Sequence, residues 1–155
     1  MSDVGVAIAG AAGRMGRALI GAAGESEGLH CAAALEYSGH PGLGMDSGML
    51  AGVGSNDITL VDDVVACARA ADVWIEFTLP GPTLEHLDVC VAQGVGVVIG
   101  TTGFDVSGRD RIETAATQVP VIFAPNMSVG VNVTMKLIQM AARALGAESD
   151  IEIIE

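Results

Sequence analysis

The sequence has little positive charge and few aromatic residues. Seven lysine and arginine residues stand against 19 aspartate and glutamate residues, giving a net charge of −12, and aromatic residues make up 3% of the chain. The negative balance opposes broad contact with nucleic acid or an anionic membrane surface, so we expect neither as a partner. A core must therefore be built from Val, Ile, Leu, Ala and Met, and a chain that is half hydrophobic supplies enough of them for one domain.

Cysteine and long apolar runs are also scarce. Cys31, Cys67 and Cys90 are odd in number and widely spaced, which favours reduced, buried thiols over a disulfide framework or a zinc site. No apolar run reaches the roughly 20 residues needed to cross a bilayer. The N terminus lacks the basic region of a signal peptide. We therefore expect a cytoplasmic protein without a bound metal.

Short apolar segments alternate with helical patterns along most of the chain. This alternation is typical of βαβ units and predicts an α/β fold, a Rossmann-type doubly wound parallel sheet. The loops after the strands then meet at one edge, where such sheets bind ligands. The predicted strands are Val4–Ala9, Cys31–Leu35, Ile58–Val61, Val73–Phe77, Val95–Ile99 and Val119–Ala124. The predicted helices are 13–24, one capped by Asp62, 83–93, 107–117 and Val131–Leu145.

Two regions depart from this alternation. Residues 37–56 are rich in glycine and weakly patterned, which predicts a long surface loop. After the helix at 131–145, residues 151–155 have the pattern of a strand that ends with the sequence. We expect a dinucleotide-binding domain at 1–130, followed at 131–155 by a linking helix and the first strand of a further domain.

A glycine-rich turn between the first strand and first helix is the strongest motif. Gly10, Gly13 and Gly16 follow a strand and open a helix, the context in which such glycines bind a dinucleotide. Gly10 permits a tight turn, Gly13 lets a pyrophosphate approach the backbone, and Gly16 lets the helix pack on the sheet. Free amides from Gly13 to Met15 would meet the phosphates at the positive end of the helix dipole. The alternative is that these glycines serve turns and packing alone.

Glu36 ends the second predicted strand, 20 residues beyond Gly16. A carboxylate at this place can accept hydrogen bonds from the adenosine ribose hydroxyls, and it repels a 2′-phosphate. This pattern favours NADH, although a solvated surface carboxylate is the alternative.

Two polar loops follow later strands at the same edge. Residues 100–103, Gly-Thr-Thr-Gly, offer donors to a nicotinamide carboxamide or a substrate carboxylate. Residues 125–128, Pro-Asn-Met-Ser, can border the nicotinamide through backbone groups and Asn126, while Ser128 equally suits a helix cap. Either loop can also be a plain turn.

The remaining polar residues give weaker signals. His30, His40 and His86 lack the spacing of a metal site or a catalytic triad. We expect His30 beside a strand and His86 on a helix surface. Lys136 lies in a helical pattern and is expected to be solvated or to pack.

Four motifs together resemble one enzyme family in order. Residues 6–17 (VAIAGAAGRMGR), 34–36 (ALE), 98–104 (VIGTTGF) and 125–132 (PNMSVGVN) are similar to segments of the 4-hydroxy-tetrahydrodipicolinate reductases, also called dihydrodipicolinate reductases. Residues 150–155 resemble the strand that opens their α+β substrate domain. The resemblance covers nearly the whole chain and implies its nucleotide-binding part.

The resemblance implies NADH- or NADPH-dependent reduction of 4-hydroxy-tetrahydrodipicolinate to tetrahydrodipicolinate, in the diaminopimelate and lysine pathway. It implies a homotetramer for the full-length protein, and Thr102 as a possible substrate contact. The implied cofactor contacts are Gly10, Ala11, Ala12, Gly13, Arg14, Met15, Glu36, Gly100, Thr101, Thr102, Ala124, Pro125, Asn126 and Met127.

Two departures from the family pattern shape these expectations. Tyr37 stands where a basic residue often pairs with a 2′-phosphate, which again favours NADH. The family's histidine-rich catalytic motif would begin just after Glu155, so no catalytic residue is assigned here and this chain alone is expected to be nearly inactive. Two alternatives stay open: a nucleotide-sensing Rossmann module that regulates a partner, and another two-domain dehydrogenase.

Overall fold

The fold, taken from a computed structural model, is described for residues 3–146, 149–152 and 154. Its six parallel strands follow the order β3-β2-β1-β4-β5-β6. This order, with crossovers to both sides of β1, confirms the predicted Rossmann-type sheet. The strands are β1 (Val4–Ala9), β2 (Leu29–Leu35), β3 (Leu60–Val61), β4 (Val73–Glu76), β5 (Gly96–Ile99) and β6 (Val121–Phe123).

A helix follows each of the six strands, and all of these helices except the short one at Ser47–Ala51 were predicted to within a few residues. Helix α4 begins three residues earlier than predicted, at Pro80, because proline lacks only an amide that has no partner in the first turn of a helix. The helices are α1 (Arg14–Glu25), α2 (Ser47–Ala51), α3 (Val64–Ala70), α4 (Pro80–Gln93), α5 (Val106–Ala115) and α6 (Val129–Leu145).

Two apolar clusters cover the two faces of the sheet. Successive side chains of a strand point to opposite faces, and β1 accordingly sends Ile8 into one cluster and Ala7 into the other. Helix α1 packs Ile20 on the first face. On the second face lie Cys67 of α3, Leu87 of α4 and Ile112 of α5. Helices on both faces make the sheet doubly wound.

The segment at 37–56 is not the plain surface loop that its glycines suggested. It contains helix α2, whose first residue, Ser47, is fully buried. The Asp46 carboxylate caps this helix by accepting the Met49 amide at 2.9 Å, and this bond, with a further one from Ser55, lowers the pKa of Asp46. The Asn56 side chain accepts the Gly48 amide at 3.0 Å. Side-chain hydrogen bonds thus order the segment, and a five-residue helix is too short to show a periodic pattern.

The cap of helix α3 was assigned one residue too early. Asp63, not Asp62, is the N-cap, and its Oδ1 accepts the Ala66 amide at 2.9 Å. An N-cap side chain accepts an amide two or three residues later, and Asp63 lies three residues before Ala66, whereas Asp62 lies four residues before it.

The chain divides into two compact units between Pro125 and Asn126. The second contains α6, which Ser128 caps by accepting the Val131 amide at 3.3 Å. Of the predicted strand at 151–155, residues 151, 152 and 154 are not in a strand, and residues 153 and 155 lie outside the described part. None of the described helices combines the length and hydropathy needed to span a membrane.

Candidate functional site

The turn after β1 takes the shape that its glycines predicted. Gly10 has φ +65°, a left-handed conformation that favours glycine. The next residue, Ala11, donates its amide to the Leu35 carbonyl of β2 at 3.0 Å, and Gly13 donates back to the Gly10 carbonyl at 2.9 Å. The turn is therefore closed on itself and tied to the end of β2.

Gly16 brings α1 against this turn. A Cβ atom at Gly16 would lie 2.5 Å from Ala11 Cα and would also collide with the Gly10 carbonyl oxygen, and neither backbone atom can yield. The expected role of Gly16 in close helix packing is confirmed.

The open amides at this helix start are fewer than predicted. The Gly13 amide already donates to the Gly10 carbonyl within the turn, so it is not an open donor for a phosphate. The amides of Arg14 and Met15 have no partner among the described residues, and no side chain caps the helix. Two exposed donors at a helix N terminus form an anion-binding site of the kind that holds phosphates.

Glu36 lies beside the turn and already has two partners. Its Oε1 accepts the Ala12 amide at 3.0 Å, and its Oε2 accepts the Tyr37 amide at 3.3 Å. The carboxylate is half-buried, whereas the Tyr37 side chain is 66% exposed. These bonds fix the carboxylate at the end of β2, and each oxygen keeps room for a further donor.

A cavity of about 580 Å³ opens at this edge of the sheet. Its volume is in the range of cofactor pockets. Three predicted cofactor contacts, Gly10, Gly13 and Glu36, line it. The other predicted contacts do not, namely Ala11, Ala12, Arg14, Met15 and residues 100–102 and 124–127. The rest of the lining comes from the end of β2, the start of α3, the loops after β2, β3 and β4, and helix α4, namely Leu35, Tyr37, Ser38, Asp62, Val64, Phe77, Thr78, Leu79, Pro82, Glu85 and His86.

In the loop after β5, one threonine is buried and the next is exposed. Thr101 is 3% exposed, and its hydroxyl is bonded to that of Thr83 at 3.0 Å. Thr102 is exposed. A Cβ atom at Gly100 would lie 2.7 Å from Phe77 Cδ1 and would collide with Cε1 and Cζ of the same ring, so the present packing of that ring favours glycine. Thr102 is therefore the side chain this loop offers to a ligand.

Residues 124–127 cross the boundary between the two units. Ala124 belongs to the first and donates its amide to the Ile99 carbonyl at 3.2 Å. Asn126 opens the second, where its Oδ1 accepts the Ser128 amide at 2.8 Å. Their cofactor contacts stay predictions.

A buried carboxylate that the sequence did not single out is bonded to two residues that line the cavity, Thr78 and His86. Glu76, at the end of β4, is 0% exposed. It accepts hydrogen bonds from Trp74 Nε1 at 2.9 Å, from His86 Nδ1 at 2.8 Å, and from both the amide and the hydroxyl of Thr78. Four donors offset the cost of burying the charge. An acidic residue at the end of an otherwise apolar strand was the available signal.

His86 does not lie on the helix surface, where the sequence analysis predicted it. Its side chain is only 13% exposed and is tilted against the Trp74 ring at 5.3 Å. Helix α4 packs this position onto the sheet, where Glu76 supplies the partner.

Most of the chain, including the strands and loops that form this site, matches one protein family. Residues 4–127 match the family described as "Dihydrodipicolinate reductase, N-terminus". The chain belongs to the dihydrodipicolinate reductase family. Since the match includes the glycine turn, Glu36 and the loop after β5, this membership confirms the resemblance and decides against another two-domain dehydrogenase.

Curated relatives agree with this membership. The 4-hydroxy-tetrahydrodipicolinate reductase of Bordetella parapertussis is 51% identical over 150 residues, which cover 97% of this chain and 55% of that protein. The chain thus spans about half the length of the curated relatives it matches.

Solved structures show the same fold. The dipicolinate-bound dihydrodipicolinate reductase from Paenisporosarcina sp. TG-14 matches with a TM-score of 0.70 and 25% identity, over 90% of this chain and 53% of that one. An imine reductase variant from Myxococcus stipitatus, in complex with NAD⁺, matches with a TM-score of 0.55 and 25% identity, over 78% of this chain and 40% of that one.

Proposed function

We propose that this chain is the dinucleotide-binding part of a 4-hydroxy-tetrahydrodipicolinate reductase. The observation that supports this most is the turn at 10–16, where the amides of Arg14 and Met15 stay open at the start of α1. The cavity beside it contains Glu36, so phosphate donors and a ribose acceptor lie at one edge of the sheet. A dinucleotide needs this combination.

The cofactor favoured by this site is NADH. The Glu36 carboxylate is held by the Ala12 and Tyr37 amides at the place where a ribose 2′-oxygen would approach. A hydroxyl can donate to it, whereas a 2′-phosphate is repelled. The guanidinium of Arg17 is tied to the turn, because its Nε donates to the Ala12 carbonyl at 2.8 Å.

The reaction we propose transfers a hydride from the reduced nicotinamide to 4-hydroxy-tetrahydrodipicolinate, with loss of water, giving tetrahydrodipicolinate. The exposed Thr102 hydroxyl is the side chain we assign to the substrate. The remainder of the relatives' length is expected to supply the substrate clamp and the proton donor, and positioning and proton transfer each contribute orders of magnitude to rate. A small-molecule substrate, a tetrameric full-length protein and a cytoplasmic location belong to the same proposal.

Fluorescence titration of this chain with NADH and with NADPH tests the proposal. We expect saturable binding of NADH, competition by ADP-ribose, and weaker binding of NADPH. Absence of saturable binding of either nucleotide would contradict cofactor binding, and a large preference for NADPH would contradict the role of Glu36. We also expect no more than trace substrate-dependent oxidation of NADH by this chain alone.

A further inference from the structure

We infer that His86 reads the base of the dinucleotide, using Nε2 as a hydrogen-bond acceptor for the exocyclic amine of adenine. The inference rests on the proposed cofactor binding and adds a specificity-determining residue to it. It starts from the side chain that joins the buried Glu76 to the cavity.

The tautomer of His86 follows from its partner. Nδ1 lies 2.8 Å from Glu76 Oε2. Glu76 Oε2 also accepts the Trp74 indole N–H and Oε1 accepts the Thr78 amide, and both of these groups can only donate. The carboxylate therefore faces Nδ1 as an acceptor, and Nδ1 carries the hydrogen. In a neutral imidazole the other nitrogen, Nε2, is then a bare acceptor. A carboxylate behind an imidazole is a recurring way of fixing its tautomer and orientation.

The second nitrogen is accessible. Nε2 has no hydrogen-bond partner among the described residues, and no buried side-chain nitrogen or oxygen of that part of the chain lacks a partner. Nε2 must therefore reach solvent, although the side chain is only 13% exposed. His86 lines the cavity that also contains Glu36. The acceptor is thus accessible in the same cavity as the ribose-binding carboxylate.

The surroundings suit a purine base. Apolar side chains form much of the wall of the cavity that His86 lines, among them Leu35, Val64, Leu79 and Pro82. A flat aromatic ring can lie against such a wall, where one acceptor fixes its orientation. Adenine carries an amine donor at position 6. Hypoxanthine carries a carbonyl oxygen there, which would face the lone pair of Nε2.

The test compares NADH with deamino-NADH, in which hypoxanthine replaces adenine and the rest of the molecule is unchanged. We expect the unmodified chain to bind NADH at least about fivefold more tightly, because an acceptor facing an acceptor leaves both without a partner. Equal affinities would overturn the inference while leaving cofactor binding intact. Failure of both nucleotides to bind would instead contradict the proposed function.

Two variants test whether His86 causes the preference for NADH over deamino-NADH. In His86→Leu the ratio of the two dissociation constants is expected to fall to about one, because the acceptor is gone. Glu85→Leu is the matched control, since Glu85 lines the same cavity from the preceding position of α4, and it should keep the ratio. Because each ratio is measured within one variant, a general loss of affinity cancels. An unchanged ratio in His86→Leu would overturn the inference.

The tautomer gives an independent check. Glu76→Gln places an amide beside Nδ1, and an amide nitrogen donating to Nδ1 moves the ring hydrogen to Nε2. We expect the preference for NADH to shrink or to reverse, since an N–H at this place pairs with the hypoxanthine carbonyl. Nitrogen-15 shifts of the histidine ring report the tautomer directly. An Nε2-protonated ring in the unmodified chain would overturn the inference even if Glu76→Gln does not fold.

Discussion

At the scale of single residues, close backbone approaches decide the site. Gly16 and Gly24 both lie in α1, yet a Cβ at Gly16 meets the turn, whereas one at Gly24 meets nothing within 4 Å. The same substitution should therefore have opposite effects at these two positions.

We expect Gly16→Ala to lower the free energy of unfolding by about 2 kcal/mol or more, because a methyl group is forced into backbone atoms. Gly24→Ala should raise it by about 0.5 to 1 kcal/mol, because alanine loses less backbone freedom in a helix. Urea unfolding measures both changes, and NADH titration should show weakened binding for Gly16→Ala alone. Equal effects of the two substitutions would mean that Gly16 is not the packing residue.

Glu36 supports a second prediction at this scale. Glu36→Gln keeps an oxygen that can accept the Ala12 amide and removes the negative charge. The ratio of the NADPH to the NADH dissociation constant should fall by about fivefold, since one screened charge beside a phosphate is worth about 1 kcal/mol. Glu25→Gln, at the far end of α1, is the control and should leave the ratio unchanged. If Glu36→Gln left the ratio of the two dissociation constants unchanged, Glu36 would not lie beside the ribose 2′-position.

The single residues that the sequence predicted are those whose role is local. Gly10, Gly16 and Glu36 stand at fixed offsets from a strand end, and their spacing alone was enough to predict where they lie. Glu76 and His86 are ten residues apart on different elements, and only the packing of α4 on the sheet joins them. The sequence pattern of a single strand or helix cannot predict a contact between two residues on different elements.

At the scale of elements, caps explain where the helices start. Asp46, Asp63 and Asp105 each accept an amide three residues later, while α1 starts without a side-chain cap. Among the described helices α4 also starts without a side-chain cap, but it begins with a proline, whereas α1 is the one at the proposed phosphate site. A capping side chain there would occupy the amides that a phosphate needs.

Asp63 and Asp62 form a matched pair for testing one cap. Asp63→Ala should cost about 1 kcal/mol of stability, because the Ala66 amide loses its partner. Asp62→Ala should cost much less, since Asp62 is not the cap. Thermal or urea unfolding of the two variants measures the difference. A larger loss of stability in Asp62→Ala than in Asp63→Ala would show that Asp62 is the cap, as first predicted from the sequence.

Helix α2 shows where element prediction stops. It is held by Asp46 and Asn56, which lie at its start and beyond its end, and by the bridge between Asp46 and Thr59. Five residues give little more than one turn, so no apolar face repeats. The long helices α1 and α4 could be predicted, because several turns repeat the same buried face.

At the scale of the whole molecule, the buried thiols couple folding to pH. Burial, together with the smaller effect of the Glu76 charge, raises the pKa of Cys90 to about 12, and burial is also the main cause that raises the pKa of Cys67 to about 11. Both lie in the apolar cluster on one face of the sheet. In the unfolded chain a thiol loses its proton near pH 9, so the folded state binds these protons more tightly.

The sign of the effect on stability follows by linkage. Between about pH 9 and the folded-state values of about 11 and 12, the unfolded chain has released protons that the folded chain keeps, so stability falls as pH rises. Below pH 9 both states keep the protons, and the thiols contribute no slope. We expect urea unfolding at pH 8, 9, 10 and 11 to show a falling free energy above pH 9. The double variant Cys67→Ala/Cys90→Ala, whatever its stability at pH 8, should lose part of that slope, because the two groups that cause it are gone. Identical slopes in the two proteins would show that these thiols ionise as readily in the core as in water.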